Sequence, residues 1–119
     1  MTQLAIKKKM IITLLFLINL VRDVPLQESA ILNQRAEIRA EQLCSDRQWS
    51  HAGWEDSFKG LNFDYAGENL SIDFANDLDA FIALMRSPSH RFNILNKNYS
   101  EIGIGYSEKC NLTVNLFMK

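Results

Sequence analysis

The chain has two histidines, and each stands beside residues that could act with it. His51 follows Ser50, and His90 closes the run Ser87-Pro88-Ser89-His90. Between them lies Gly67-Glu68-Asn69-Leu70, with a carboxylate at Glu68. Two neutral imidazoles and one carboxylate are a sufficient protein set for Zn²⁺, leaving a fourth position for water. Ser87 or Ser89 with His90 and Glu68 would instead imitate a nucleophile–base–acid triad. No nucleophile-elbow pattern accompanies it. A helix cap also explains Ser87, because Pro88 suits the first helical position. A structural role is the third reading: each ring ties a loop to a helix start, and Glu68 accepts from one of them. A carboxylate partner of that kind raises an imidazole pKa above its ordinary value of about 6.5. Glu55 stands four residues after His51, a spacing common by chance. Arg91 reads as solvated, and Asn93 as a residue that fixes the helix after His90.

The elements that must carry these residues follow from periodicity. An apolar run from Met10 to Val21, broken only by Thr13 and Asn19, predicts a helix over 10–22, with Lys7, Lys8 and Lys9 in a short basic tail over 1–9. A basic stretch before a short apolar core is also the shape of a secretory leader. No small-x-small cleavage site follows Val21, and twelve apolar residues are too few to span a bilayer, which needs about 20. A peripheral anchor is a third use of the same run.

Leu32, Ala36, Ala40 and Leu43 fall at helical spacing and predict a helix over 27–46, with Ser29 as a candidate cap. Arg35, Glu37, Arg39 and Glu41 read as its solvated face. Residues 47–64 form a loop-rich passage that carries His51, with Trp49 and Trp54 as core or cleft wall. Residues 65–70 read as a turn or short strand. Asn76 and Asp79 begin a further amphipathic helix, and Pro88 opens the one bearing His90. Residues 102–106 and 112–117 predict a hairpin. Helices first and antiparallel strands last give an α+β class.

Composition narrows the partners. The 119 residues suffice for one domain. Leu, Ile, Val and Phe form about 30% of the chain, above the roughly 20% typical of disorder. A net charge of −1 leaves no footprint for nucleic acid. The pair Gly103 and Gly105 lacks the third glycine of a dinucleotide fingerprint, and there is no phosphate-binding loop. Cys44 and Cys110 could pair, closing a loop worth about 4 kcal/mol, but without a clear leader the expectation is two free thiols.

The order Ser50-His51, Gly67-Glu68-Asn69-Leu70, Ser87-Pro88-Ser89-His90-Arg91-Phe92-Asn93-Ile94-Leu95 and Glu101-Ile102-Gly103-Ile104-Gly105-Tyr106 resembles the CAP superfamily. This is the family of cysteine-rich secretory proteins, antigen five and pathogenesis-related proteins, or SCP-like domains, here in a minimal bacterial or phage form. Upstream, Leu14 to Arg22 is similar to the family's first helix, so the resemblance covers about 11–118, inside one domain over 10–119. It implies an α–β–α sandwich, a small antiparallel sheet flanked by helices. It also implies a cleft lined by two histidines and two acids, of which His51, Glu68 and His90 match three. The fourth is ordinarily the Glu of a Trp-x-x-Glu segment, and here Leu84-Met85-Arg86-Ser87 puts Ser87 in its place. The resemblance therefore implies a ligand cleft of His51, Glu68, Ser87 and His90, with weak Zn²⁺ binding at His51, His90 and Glu68. It further implies a monomeric, extracellular or envelope binding module for a small molecule, lipid or surface partner. The alternative is a metal-assisted hydrolase using a bound water.

Overall fold

The computed structural model describes residues 2–119, and for residues 3, 4 and 6–12 the backbone alone. Among the described residues, short polar residues start three of the four α-helices. Thr2 accepts from the Ala5 N–H and opens α1 (Gln3–Leu20), Ser29 accepts from Leu32 and opens α2 (Ala30–Asp46), and Asn76 accepts from Asp79 and opens α3 (Asp77–Arg86). Each satisfies an N–H that the helix itself leaves unpaired. The fourth helix, α4 (Pro88–Leu95), has Pro88 in its first turn but no side-chain cap. The Ser87 hydroxyl expected there turns to His90 instead. Helix α1 begins upstream of the expected Met10, so Lys7, Lys8 and Lys9 lie on a helix and not in a tail.

Four strands form one sheet: β1 (Gln27–Glu28), β2 (Ala66–Ile72), β3 (Glu101–Ser107) and β4 (Leu112–Met118), in the order β1-β3-β4-β2. The hairpin β3–β4 forms as expected, with Ile104 opposite Asn115. The sheet is not wholly antiparallel, because β1 pairs parallel with β3. Gln27 and Glu28, read as helix, are that strand. The turn or short strand expected at 65–70 is a seven-residue edge strand paired along its whole length with β4.

Period-two alternation sends β4 side chains to two cores. Leu112, Val114, Leu116 and Met118 meet Leu32, Ala36, Ala40 and Leu43 of α2 on one face. Phe117 joins Ile102 and Ile104 with Leu14 and Ile18 of α1, Leu84 of α3 and Ile94 of α4 on the other. The result is the α–β–α sandwich, and α1 is part of its core. Among the described residues no helix is long and apolar enough to cross a membrane.

Gly103 and Gly105 let α2 lie directly on β3. A β-carbon at Gly103 would run into the backbone of Leu32 and Asn33, and one at Gly105 into Ala36 and Glu37. The expectation of two free thiols is overturned. Cys44 in the last turns of α2 is disulfide-bonded to Cys110 in the β3–β4 turn, with Cα atoms 5.6 Å apart. Sequence spacing alone could not show that α2 ends beside that turn.

Candidate functional site

Glu68 lies on the edge strand β2, opposite Leu116, and so faces the α2 layer. Its side chain is 1% exposed, and a carboxylate removed from water needs a charged or hydrogen-bonding partner. Arg39 of α2 supplies it. Nε donates to Oε2 at 2.9 Å and Nη2 to Oε1 at 3.2 Å, a two-pronged pair. The same guanidinium donates to the Ala52 carbonyl from Nη1 at 3.1 Å and to the Ser50 carbonyl from Nη2 at 3.4 Å. One side chain therefore joins α2, β2 and the residues on both sides of His51.

The His51 ring completes the arrangement. Its Nδ1 lies 2.8 Å from Oε1 of Glu68. An ionised carboxylate only accepts, so Nδ1 carries the proton and Nε2 is the ring edge left to a visitor. About half of the His51 side chain is exposed. The expected structural contact of a histidine with Glu68 is thus present, and His51 makes it.

His90 reaches the same strand edge from the other layer. Its backbone carbonyl accepts from Asn69 Nδ2 at 3.0 Å. Asn93 Nδ2 donates to Asn69 Oδ1 at 2.8 Å and to the Glu68 carbonyl at 3.2 Å, so Asn93 does fix α4, against β2. His90 Nδ1 lies 2.7 Å from Ser87 Oγ. Burial, and after it the charge on His51, push the His90 pKa below its ordinary 6.5. That shift runs opposite to what a carboxylate partner would cause.

Two hollows flank His51. One of about 250 Å³ is lined by Leu43, Trp49, Leu70, Ile72, Leu112 and both histidines, among others. The other, about 220 Å³, lies among Trp54, Gly67, Glu68, Asn93 and Tyr99. Trp49 and Trp54 are therefore cleft walls, Trp49 being 53% exposed, while Trp54 also meets the Phe58 ring edge-on. A larger hollow of about 650 Å³ lies elsewhere, between the end of α1 and the end of α4, and includes Val24, Leu95, Lys97 and Lys119. Among the described residues that line it there is no histidine or glutamate, and both histidines and Glu68 lie at the smaller hollows.

The structure brings His51 to Glu68 and Ser87 to His90, and places both histidines along one hollow. The Ser87–His90–Glu68 triad is not assembled, since Glu68 serves His51 and Arg39. Ser89 and Glu55 are exposed, as is Arg91, which donates to the Met85 carbonyl. The expected Zn²⁺ set of His51, His90 and Glu68 does not fit. Both Glu68 oxygens are taken by a cation and an N–H. Among the described residues no three His, Cys, Asp or Glu side chains gather in a way that could hold a metal ion.

Arg39 is the residue that sequence reading misplaced, on the solvated face of α2; it is 7% exposed. The signal was present. Position 39 lies three residues after Ala36 and seven after Leu32, inside the apolar stripe, where a charge demands a buried partner.

Comparison with known proteins agrees with this architecture. An extracellular SCP-domain protein from Bacillus anthracis str. Ames superposes with a TM-score of 0.88 at 20% identity, over 96% of this chain and 41% of that one. An outer surface protein from Borrelia burgdorferi gives 0.79 at 21% identity, over 90% of each chain. At these identities the likeness is one of fold. In sequence, the uncharacterized protein YkwD of Bacillus subtilis (strain 168) is 29% identical over 101 residues, 79% of this chain and 39% of its own length. The chain thus spans about two-fifths of the curated relative it matches. Residues 22–118 match the profile described as CAP, the cysteine-rich secretory protein family. A match running from the end of the first helix to the last strand makes this chain a member of the CAP, or cysteine-rich secretory protein, family.

Proposed function

We infer that this domain is a non-catalytic binding module working outside the reducing cytosol. Its cleft takes a small ligand with an apolar end and a hydrogen-bonding head. The observation that carries the reading is the pairing of Glu68 with Arg39 and His51, which consumes, among the described residues lining the cleft, its one carboxylate in structure-holding contacts. What remains for a visitor is an imidazole edge from each histidine beside a wall of Leu43, Leu70, Ile72 and Leu112. Mostly apolar hollows with a few placed polar groups are the usual form of small-molecule sites. The Cys44–Cys110 disulfide favours an oxidising compartment. So do the neighbours described as extracellular and outer surface proteins.

The metal-assisted hydrolase needs a water held on a metal, and the donor set that would hold the metal is otherwise engaged. General acid–base work also lacks a free carboxylate among the described residues of the cleft. The test is ligand titration by NMR with three probes: 4-methylphenol, indole and 4-methylbenzoate. Shifts at the His51, His90 and Trp49 side chains, lost in His90→Ala, are expected for at least one probe. No shift with any of them contradicts the reading. So does 4-nitrophenyl acetate hydrolysis that exceeds background and disappears in His90→Ala.

A further inference from the structure

We propose that the outer face of the helical layer formed by α1, α3 and α4 is a docking surface for an anionic lipid bilayer. It lies apart from the histidine cleft, and the inference goes beyond the small-ligand role proposed above.

Helical periodicity places the face. Leu14 and Ile18 of α1, Leu84 of α3 and Ile94 of α4 all enter the core on one side of the sheet. A residue two positions from a buried one is turned about 200° around the helix axis, to the far side. Phe16 and Leu20 stand in that relation to Leu14 and Ile18, Ile82 to Leu84, and Phe92 to Ile94, while Leu78 lies one turn before Ile82. Each of the three helices therefore turns large apolar side chains away from the sheet. Phe16, Leu20 and Phe92 are 62%, 65% and 67% exposed, and Leu78, Ile82 and Leu95 are exposed with them. The helices pack side by side, α1 on α3 and α3 on α4, so these residues share one outer surface. Single exposed apolar residues are ordinary, but a set repeated on three adjacent helices is an apolar surface of the kind that marks an interaction site. The opposite layer differs: α2 exposes Ile31 and Ile38, each by less than half.

Charge selects the occupant. Helices α1, α3 and α4 carry Lys7, Lys8, Lys9, Arg86 and Arg91 against Asp77 and Asp79. Both acids sit in the first turn of α3, where a negative charge answers the helix N-terminus. The chain as a whole has a net charge of −1, so the rest of the molecule is acidic. Helix α2 shows the contrast, with Arg35 and Arg39 against Glu37, Glu41 and Asp46. An anionic bilayer attracts Lys and Arg near its surface, and Phe and Leu beside them enter the headgroup boundary. A second copy docked face to face would instead meet the same excess of positive charge, which opposes pairing. Among the described residues no helix is long and apolar enough to cross a membrane, so the contact is with the surface. The apolar run of α1 thereby serves two ends. Leu14 and Ile18 hold the domain core, and Phe16 and Leu20 remain outside it.

The experiment is flotation of the full chain with vesicles of phosphatidylcholine alone and of equimolar phosphatidylcholine and phosphatidylglycerol, at about 0.1 M and about 0.5 M NaCl. Wild type, Phe16→Gln/Phe92→Gln, Leu78→Gln/Ile82→Gln and Ile38→Gln are compared, each after its thermal unfolding has been recorded. The expected result is wild-type binding to the anionic vesicles at least tenfold stronger than to the neutral ones, and weakened by salt. Either double variant lowers it at least tenfold, while Ile38→Gln, on the outer side of α2, leaves it as in wild type. Should one double variant not fold, the other carries the test. Should neither fold, Lys7→Gln/Lys8→Gln/Lys9→Gln is read in their place, with the same loss expected. Absence of wild-type binding to the anionic vesicles overturns the proposal, as does equal binding to both kinds. Binding that the folded variants keep, or an equal loss in Ile38→Gln, overturns it too. Dimerisation in sedimentation velocity that Phe16→Gln/Phe92→Gln abolishes, without vesicle binding, assigns the face to a second copy and also overturns it. The organic-probe titration reads the cleft, so each proposal can fail while the other stands.

Discussion

Arg39 and Glu68, 29 residues apart in sequence, form a buried two-pronged ion pair that joins α2 to the edge strand β2. A charge pair in this setting holds position more than it adds net stability, because desolvation offsets much of the attraction. The asymmetry appears when one partner is removed. Arg39→Met leaves Glu68 buried without its cation and is expected to cost about 3–5 kcal/mol. Arg39→Met/Glu68→Leu, which removes both charges, is expected to cost less than the single change. Urea denaturation of the three proteins checks this, and a single variant within about 0.5 kcal/mol of wild type contradicts it.

Close approach of α2 to β3 makes Gly105 a packing residue. Gly105→Ala places a β-carbon against the Ala36 and Glu37 backbone, which no rotamer change relieves. Destabilisation of about 1–3 kcal/mol or more is expected from overpacking of this kind. Thermal unfolding measures it, and an unchanged Tm contradicts the described contact.

The disulfide spans 66 residues, and the chain-entropy account assigns such a loop about 4 kcal/mol. Cys44→Ser/Cys110→Ser is expected to lose stability on that scale, and a reductant should lower wild-type stability to match. A reductant-insensitive wild type contradicts the bond.

His90 gives the stability a pH dependence whose sign is fixed. Its folded pKa lies below the ordinary 6.5, through burial first and the His51 charge second. The unfolded chain therefore takes up the proton more readily as pH falls. The neutral ring's contribution is fully present above about pH 6.5 and is lost as pH drops below it toward the lowered folded value. His90→Gln is expected to flatten that part of the stability profile. A wild-type profile that rises on acidification from about pH 7 to about pH 6, with the rise abolished in His90→Gln, contradicts the sign.

Local signals in the sequence were good guides where the physics was local. Ser29 and Asn76 cap helices because a short polar side chain stands just before an apolar periodic run. The hairpin was legible from alternation in 102–106 and 112–117, and a contact of Glu68 with one of the two histidines was expected, which the structure gives to His51. What failed was non-local. Gly103 and Gly105 were weighed only against a dinucleotide fingerprint, and the three-dimensional contact shows that α2 is what they admit. The two-residue β1 has no periodicity to read, and β2 looked short because Glu68 and Asn69 interrupt its apolar pattern. Both are buried by partners from other elements, Arg39 of α2 and Asn93 of α4. Arg39 itself was assigned to solvent by residue type when its position in the α2 stripe argued for burial. The Cys44–Cys110 bond depends on where α2 ends relative to the hairpin turn, which no spacing rule supplies.

The most direct test of the cleft is a long-range ¹H–¹⁵N spectrum of the imidazole nitrogens, recorded on the full chain at neutral pH and during titration with 4-methylphenol. The account predicts a His51 ring protonated at Nδ1, where it meets Glu68. It also predicts that Nε2 signals of His51 and His90 shift together with a single binding constant. A His51 ring with bare Nδ1 contradicts the arrangement, as do Nε2 signals of His51 and His90 that stay in place at saturating 4-methylphenol.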